Sequence, residues 1–540
     1  MLFNAPVFLL GFLPIVLAGF FLIGSFRKPD WAILWLVGAS LFFYGWWRPE
    51  FLTLILASIG FNYLLGLRLG SHPDRGVLAF GVAMNLTLLG WFKYSGFLAT
   101  VVNDLANANL PVPHFLLPLG ISFYTFQQIA YLVDANSGEA SERSLARYAL
   151  FVTFFPQLIA GPIVHHKEML SQFHRPETYR PRLDNLVLGL AAFSIGLFKK
   201  VFIADPLATS VVLAFGPAAQ GIAPPVADAW FGSVAYALQL YFDFSGYSDM
   251  AIGLGLMFGI RLPVNFASPY KSASIIEFWS RWHMTLTRFL TSYIYNPVVM
   301  AITRRRMAAG KAILRPKRPK PVPFVVQLAI PTLLTFFLAG IWHGAGWQFV
   351  VFGLIHGVLL VVNHAWRAVR TLVIPGVTFG PWGRIAGVVV TFLAVTVSLV
   401  FFRSNSLEHA LLIVGAMAGF GGTLDGVSSL GGPEFAAMGP LQMLAWRFSS
   451  MHGVLIALAL AIVWILPNTP RYIERLEGVV ERLSESRRSK TRWRLPPLKW
   501  PAALAAGNRF LQGSCVGVLL ALALLRALSV APSEFLYYTF

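Results

Sequence analysis

Long apolar segments, each close to twenty residues, recur along most of the chain, and short polar connections separate them. A helix needs about 20 apolar residues to cross the hydrocarbon core of a bilayer, so the pattern predicts an all-α polytopic membrane protein with about 11–13 transmembrane helices. The clearest segments are Val7–Phe26, Trp31–Trp47, Phe51–Leu67, Val77–Tyr94, Tyr148–Val164, Leu186–Ile203, Trp230–Phe244, Phe324–Trp342, Phe349–Trp366, Ile385–Phe402, Leu455–Leu466 and Leu511–Val530.

Two regions are apolar but contain residues that membrane helices rarely carry. The segment Leu116–Val133 contains Pro118, Gly120 and a pair of glutamines, and the chain after Phe154 reads Phe-Pro-Gln-Leu-Ile-Ala-Gly-Pro. Proline, glycine and amide side chains are tolerated at membrane depth only against protein or a water-filled cavity. These regions therefore predict short or re-entrant helices around a central funnel or tunnel.

Composition and charge exclude the soluble classes of protein. Of the 540 residues, 56% are hydrophobic and only 12% are charged, whereas a soluble domain is about 25% charged. The formal net charge of +19 would suit a nucleic-acid partner, but the basic residues lie in short blocks between apolar segments. Cytoplasmic loops of membrane proteins have this pattern, so the lipid bilayer is the predicted partner, and nucleic acid is not.

The basic blocks also predict the orientation of the chain. Arg27-Lys28 follows the first apolar segment, and residues 304–320 form a strongly basic block without an acidic residue. The positive-inside rule places both in the cytoplasm and the N-terminus outside. We expect a membrane core over residues 1–403 and a C-terminal part over 404–540. The latter has a Gly-rich outer loop between Arg403 and Arg447, and a basic segment, 471–499, that is either an amphipathic helix on the inner leaflet or a solvated loop.

Polar residues inside apolar segments are the candidate functional residues of a membrane protein. Trp342-His343-Gly344 ends one segment, and His356 lies within the next. A histidine can accept and return a proton near neutral pH, as acyl transfer to a hydroxyl requires. A histidine beside tryptophans at a helix end is equally typical of an interfacial aromatic belt, and the spacing alone leaves both interpretations open.

A second cluster lies in residues 277–288. If this stretch is helical, Trp279, Trp282 and His283 share one face, while Arg281 and other charged residues lie elsewhere on the helix. A helix that faces only lipid would not carry these charges. An amphipathic interfacial helix is the alternative interpretation.

Two further clusters name no reaction by themselves. Asp243 and Asp249, with Ser245 between them, are six residues apart and do not share a helical face, so we expect structural roles. They would cap broken helices or pair with Arg281. The hydroxyl and amide side chains of the fourth cluster suit the lining of a polar passage; they are Ser122, Tyr124 and Gln128.

Several kinds of site are missing from the sequence. It has no phosphate-binding loop, no dinucleotide fingerprint and no nucleophile elbow. The histidine pairs lack suitable spacing or a partner carboxylate, and adjacent His165-His166 are expected to lie in a loop. We therefore expect no metal site and no permanently bound cofactor.

Taken in order, these motifs resemble the membrane-bound O-acyltransferase superfamily, and within it the bacterial branch that acetylates alginate and related polymers. The resemblance runs from the N-terminus to about Arg403 and is carried by Trp91-Phe92-Lys93-Tyr94, Pro118–Gln127, Phe155–Pro162, Tyr241–Gly255, Phe278–Leu286 and Trp342–Trp347. The chain departs from the alginate pattern after Tyr295, where Asn-Pro-Val-Val-Met replaces Leu-Gly-Gly-Asn-Arg.

The resemblance implies roles for the candidate residues. His343 matches the catalytic histidine of the superfamily, and His283 matches the second active-site position. The residues implied to bind substrate or line the tunnel are Trp279, Arg281, Trp282, Trp342, Ser122, Tyr124 and Gln128, and those implied to orient or support the site are Asp243, Ser245 and Asp249.

The resemblance also implies a reaction in the bacterial inner membrane. An acyl group, most often acetyl, would pass from a cytoplasmic thioester, acetyl-coenzyme A or an acyl-carrier protein, to a hydroxyl of a cell-surface polysaccharide or to a periplasmic esterase-like partner transferase. Three alternatives stay open. These are a transporter or flippase of a glycan or acyl precursor, D-alanyl transfer from a carrier protein, and a non-catalytic scaffold for a periplasmic transferase.

Overall fold

The computed structural model describes residues 1–113, 115–140, 142–315, 320–373, 380–420, 442, 445–446, 449–478 and 516–536. Within these residues all regular structure is helical, which confirms the prediction of an all-α polytopic membrane protein. The helices are α1 (Val7–Ser25), α2 (Pro29–Gly45), α3 (Phe51–Ser71), α4 (Arg75–Ala106), α5 (Ile121–Asn136), α6 (Leu145–Thr153), α7 (His166–Phe173), α8 (Leu183–Ala219), α9 (Val226–Met257), α10 (Ile275–Trp279), α11 (Met284–Leu290), α12 (Asn296–Ala308), α13 (Pro321–His343), α14 (Trp347–Val373), α15 (Pro381–Arg403), α16 (Leu407–Phe420), α17 (Met451–Ile465), α18 (Thr469–Gly478) and α19 (Val516–Ser529).

Seven of the described helices are long and apolar enough to cross a membrane: α1, α3, α4, α8, α13, α14 and α15. The pair α17 and α18, bent by 52° where they meet, passes the same test only as one broken span. The number is smaller than the predicted 11–13 because several apolar segments fold as shorter helices. One example is α2, which has 17 residues.

The predicted continuous span Tyr148–Val164 is wrong. Helix α6 ends at Thr153, Phe154 leaves the helical conformation, and a single turn, Phe155–Leu158, follows. The proline in this turn has no N–H to continue a helix from the preceding residues. The segment is buried, so it fills the interior of the protein and does not cross the membrane as one helix.

Helix α5 begins after a turn that requires glycine. Gly120 has a φ of 70°, and a Cβ there would lie 2.9 Å from the carbonyl oxygen of Leu158. L-residues with a side chain rarely adopt this conformation. The turn brings α5 against the buried segment that follows α6, and most residues of α5 are themselves buried.

Helix α9 is the centre of the fold, and nearly all of its 32 residues are buried. It packs closely on α8 through glycines, and a Cβ on Gly196 would lie 2.5 Å from the carbonyl oxygen of Gly246. Small residues at a helix crossing let the two backbones approach in a membrane protein. The close approach places polar residues of α9 beside lysines of α8.

Asp243 and Asp249 of α9 are paired with these lysines. Asp243 lies 2.8 Å from Lys200 Nζ, and Asp249 lies 2.6 Å from Lys199 Nζ. Arg281 pairs with a glutamate one turn before it on its own segment. The expectation that either aspartate caps a broken helix or pairs with Arg281 is therefore wrong, because α9 is continuous and α8 supplies the cations that buried carboxylates need.

The described part of the C-terminal region is hydrogen-bonded to the membrane core. The backbone N–H of Leu536 donates to Asp243 (2.9 Å), and the hydroxyl of Thr469 donates to Asp249 (2.6 Å). Helix α18 covers the start of the basic segment 471–499, and Glu477 on it pairs with Arg261. The remainder of that segment, and the Gly-rich loop from residue 421 to 441, lie outside the described residues.

Candidate functional site

His343 is the last residue of α13, and its side chain is buried. Its ring lies against three aromatic rings, with centroid distances of 4.8 Å to Trp342, 5.1 Å to Phe402 and 5.9 Å to Phe352. These rings belong to α13, α14 and α15, so three helices form the walls around one imidazole. The surroundings exclude bulk water and hold the ring in one place.

The end of α13 is held by two side chains of α4. Lys93 Nζ lies 2.5 Å from the carbonyl oxygen of Trp342 and 3.1 Å from that of His343. The hydroxyl of Tyr94 donates to the carbonyl oxygen of Ile341 (2.9 Å). The last carbonyls of a helix have no partner within the helix, and a cation there is favoured by the helix dipole. Lys93 and Tyr94 therefore position the backbone that carries His343.

The glycines around His343 allow its helix to contact α14. A Cβ on Gly340 would lie 2.3 Å from the carbonyl oxygen of Phe349, and one on Gly344 would lie 2.1 Å from the Phe349 ring. The sequence shows these glycines, but only the fold shows what they contact. They bring the first turns of α14 close enough for Phe352 to reach the imidazole.

His283 does not continue a helix, contrary to the shared helical face predicted for Trp279, Trp282 and His283. Helix α10 ends at Trp279, and α11 begins at Met284, while His283 itself has a φ of 42° and a ψ of 51°. The extended chain before α10 accounts for the break. The backbone of Asn265 accepts from the N–H of Met284 (3.0 Å), and the N–H of Ala267 donates to the carbonyl of Arg281 (2.9 Å).

The tautomer of His283 follows from its partner. Its Nδ1 lies 3.0 Å from Oδ1 of Asn265, which also accepts from the Thr285 hydroxyl, while the Asn265 amide nitrogen donates to Ser248. An amide oxygen only accepts, so Nδ1 of His283 carries the hydrogen and Nε2 is the basic nitrogen. Burial lowers the pKa of His283 to about 3, so the ring is neutral at physiological pH.

The structure brings both histidines next to Trp342. The ring centroid of Trp342 lies 4.8 Å from that of His343 and 6.4 Å from that of His283. Phe126 of α5 stacks on the same indole at 5.5 Å. Two imidazoles that are sixty positions apart in the sequence therefore share one buried neighbour.

His356 belongs to a different network, which links three helices. The indole N–H of Trp279 donates to its Nδ1 (3.2 Å), so the neutral ring carries its hydrogen on Nε2. That nitrogen lies 2.9 Å from Oγ of Ser398, whose own hydrogen goes to the carbonyl of Val395. Both ring nitrogens are engaged, so His356 and Trp279 tie α10 to α14 and α15.

The other candidate residues occupy distinct places. Trp282 packs edge-on against Phe266 with ring centroids 5.1 Å apart, near the His283 turn. Arg281 pairs with Glu277 at 2.6 Å and is partly exposed. These contacts do not link Trp282 or Arg281 to Trp342. Their roles in binding substrate stay predictions.

The three candidates on α5 do not share one environment. Gln128 donates to Ser58 (2.9 Å) and accepts from the hydroxyl of Tyr148 (3.3 Å). Gln128 lies two positions after Phe126, or about 200° around the helix. It is therefore on nearly the opposite side of α5 from Phe126, which contacts Trp342. Ser122 and Tyr124 are buried at the start of the same helix.

A cavity of about 540 Å³ opens between α5, α11 and the loop before α7, and we call it the Arg288 cleft. Thr285 lies on its wall, and the hydroxyl of Thr285 donates to Asn265. Two hydrogen bonds, from Thr285 to Asn265 and from His283 to Asn265, therefore connect the wall of the cleft to the imidazole of His283. Its polar and charged lining includes Gln127, Asp134, His165, Thr285, Arg288 and Tyr293.

His165 and His166 have a partner carboxylate, contrary to the sequence-based expectation. His165 precedes α7, His166 begins it, and both rings contact Oδ2 of Asp134, at 2.8 and 3.2 Å. Asp134 is 31 positions earlier in the chain, which is why spacing did not show the group. Lys93, Asn265 and Thr285 were also missed, and only Lys93, a cation within an apolar segment, carried a signal in the sequence.

Comparison with known proteins adds an independent finding. The model of the MBOAT, membrane-bound O-acyltransferase family, matches residues 51–310. A peptidoglycan O-acetyltransferase of Helicobacter pylori is 40% identical over 453 aligned positions, and the match covers 78% of this chain and 80% of that protein. A probable alginate O-acetylase AlgI of Azotobacter vinelandii is 40% identical over 434 residues, covering 78% and 79%. A teichoic acid D-alanyltransferase of Bacillus subtilis is 27% identical over 302 residues, covering 55% and 71%.

Proposed function

This chain belongs to the membrane-bound O-acyltransferase family, and we propose that it moves an acetyl group from a cytoplasmic thioester to a hydroxyl of a cell-surface polysaccharide. It is a multi-pass membrane O-acyltransferase, as its relatives are. The names of its two relatives at 40% identity favour acetyl as the group and a polysaccharide as the acceptor. The observation that carries the proposal is the convergence of His283 and His343 on Trp342 beside the Arg288 cleft.

In this proposal His343 is the general base and then the general acid. It takes the proton of the acceptor hydroxyl while the hydroxyl oxygen attacks the thioester carbonyl, and a C–O bond forms. When the tetrahedral intermediate collapses, the C–S bond breaks and the imidazolium returns the proton to the leaving thiolate. The three aromatic rings around His343 favour this role, because they exclude competing water and hold the imidazole in one position.

His283 would position a reactant near His343. Its hydrogen is directed to Asn265, so its Nε2 can accept a hydrogen bond from a hydroxyl or amide of donor or acceptor. A neutral ring is required for that role, and burial keeps the pKa of His283 at about 3. Ser248 and Thr285 hold the amide of Asn265 from two sides, which supports one orientation of the imidazole.

We propose that the donor enters through the Arg288 cleft from the cytoplasm. Pro297 and Met300 of α12 line the cleft, and the same helix continues into the basic block at residues 304–306. The positive-inside rule favours a cytoplasmic position for this block. Acetyl-coenzyme A is acidic, so basic residues around the entrance would speed and orient its binding. The acceptor would then approach from the opposite face of the bacterial inner membrane, directly or through a periplasmic partner transferase, with the N-terminus outside.

The test is release of free thiol from acetyl-coenzyme A by the purified protein in detergent, with and without an oligosaccharide acceptor. We expect wild type to release thiol, and His343→Ala to lose at least about 100-fold of the rate, as expected when a general acid–base is removed. His174→Ala is the matched control, because His174 is an exposed histidine whose contact is with Glu142 at 3.7 Å. An unchanged rate for His343→Ala would refute the catalytic role.

The same preparation separates the alternatives. A transporter would move its substrate by counterflow in proteoliposomes without cleaving a thioester. A D-alanyl transferase would need a charged carrier protein and would leave acetyl-coenzyme A intact. A scaffold would support a partner's activity equally well with His343→Ala.

A further inference from the structure

A carboxylate and two imidazoles meet at the edge of the Arg288 cleft. Asp134 is near the end of α5, whereas His165 and His166 adjoin the start of α7. One potential metal-ligating atom from each of the three lies within 4.8 Å of the other two. Asp134 and His165 line the cleft, and His166 is buried beside them.

The hydrogen-bond partner of His166 determines which of its nitrogens holds the hydrogen. Its Nε2 lies 3.2 Å from the carbonyl oxygen of Glu139, which can only accept, so this contact is a hydrogen bond when Nε2 carries the hydrogen. A neutral ring then has its lone pair on Nδ1, and that nitrogen lies 3.2 Å from the Asp134 carboxylate. In that tautomer two acceptors face each other, and a cation between them would satisfy both.

A bound metal ion fits the surrounding contacts. Histidines that bind metal commonly donate their other N–H to a backbone carbonyl, as His166 does to Glu139. The hydroxyl of Tyr293 donates to the same oxygen of Asp134 at 2.8 Å and would orient the carboxylate. His165 must bind the ion through Nε2, so its hydrogen must lie on Nδ1. Nδ1 then no longer accepts from the N–H of Lys167, a long contact of 3.4 Å.

The distances need only a small adjustment. Zinc bonds of about 2.0–2.2 Å in tetrahedral geometry place neighbouring ligand atoms about 3.3–3.5 Å apart. The observed separations from the Asp134 oxygen are 2.8 Å to His165 and 3.2 Å to His166. Each of these two separations would have to open by less than 1 Å, in side chains at the edge of a cavity, to match that geometry.

We propose that Asp134, His165 and His166 form a binding site for Zn²⁺. Two imidazoles and one carboxylate are the donor set of many zinc sites, whereas Ca²⁺ and Mg²⁺ prefer all-oxygen shells. With three protein ligands, the fourth coordination position would face the cleft and hold water or an anionic group. This proposal concerns binding alone and does not depend on the proposed acyl transfer.

The test uses the full-length protein without an affinity tag, purified in detergent and stripped with a chelator. Zn²⁺ is added in competition with a chromophoric chelator, and the bound metal is counted per chain. We expect one equivalent for wild type, and its loss in both Asp134→Asn and His166→Gln. His174→Gln, which changes a histidine outside the group, should keep the equivalent.

Two further measurements distinguish loss of the zinc site from poor folding of a variant. Thermal unfolding without metal shows whether each variant is folded, and Zn²⁺ should raise the Tm of wild type and of His174→Gln only. X-ray absorption on wild type should give a shell of nitrogen and oxygen neighbours at about 2.0–2.1 Å. The proposal is overturned if wild type binds no stoichiometric zinc, or if both cluster variants still bind it.

Discussion

Replacement of Lys93 by methionine should slow acyl transfer far more than it destabilises the protein. Methionine has a similar length and fills the same space without a charge. The substitution removes the ammonium that lies 2.5 and 3.1 Å from the carbonyl oxygens of Trp342 and His343. Of the two side chains of α4 that hold the end of α13, Tyr94 then remains, through its bond to the carbonyl of Ile341.

The stability change should be modest because two effects oppose each other. Hydrogen bonds to a charged group contribute about 1.5–3 kcal/mol each, but burial of the ammonium costs several kcal/mol, which methionine does not incur. We expect a net loss of about 0–2 kcal/mol. The rate is more sensitive, because a displacement of about 1 Å in a catalytic group can cost about 100-fold. That factor corresponds to about 2.7 kcal/mol of barrier.

The assay is thiol release per folded molecule, with kcat and the KM for acetyl-coenzyme A measured separately. We expect kcat to fall by about 30- to 100-fold with little change in KM. Tyr94→Phe removes one neutral hydrogen bond of about 0.5–1.5 kcal/mol, so its kcat should fall by only about 2- to 10-fold. Asp243→Asn is the stability control, because it weakens the ion pair with Lys200. It should lower the yield of folded protein but not the rate per folded molecule. Equal kcat for wild type and Lys93→Met would refute the positioning argument.

Three more substitutions test other parts of the structure. Asn265→Ala removes the acceptor that orients His283 and leaves the buried hydroxyl of Thr285 without that partner, so kcat should fall by about tenfold or more and the melting temperature should fall as well. Gly340→Ala places a Cβ 2.3 Å from a backbone oxygen and should destabilise by about 1–3 kcal/mol or more, whereas Gly90→Ala, with open space around it, should not. Lys200→Met leaves two aspartates without their cation and should cost about 3–5 kcal/mol in thermal unfolding, and an unchanged melting curve would contradict the pairing.

The sequence alone was enough for the class of fold, and it predicted His343 as the catalytic histidine. Apolar segments near twenty residues long predict membrane helices because the transfer of side chains into hydrocarbon depends on composition and length, which are local properties. His343 was predicted in the same way, as a polar residue at the end of an apolar segment, supported by the resemblance of its neighbours to a known family. Positions of this kind need no knowledge of what packs against them.

The breaks and pairings depended on the tertiary structure. The periodicity of residues 279–286 suits a helix, yet the backbone of Asn265 and Ala267 takes hydrogen bonds that a continuous helix would use and bends the chain at His283. Asp243 was expected to pair with Arg281, but the close crossing of α8 and α9 supplies Lys200 instead. Such partners come from distant segments, and a pattern within one segment does not show them.

The group formed by Asp134, His165 and His166 shows the same division most clearly. Two adjacent histidines are visible in the sequence, and their local pattern is typical of a loop. Their meaning changes only when the fold places a carboxylate from 31 positions away within 3.2 Å of both rings. Hydrophobic pattern specifies which segments are buried in the membrane, whereas the packing of those segments against one another decides which side chains share a site.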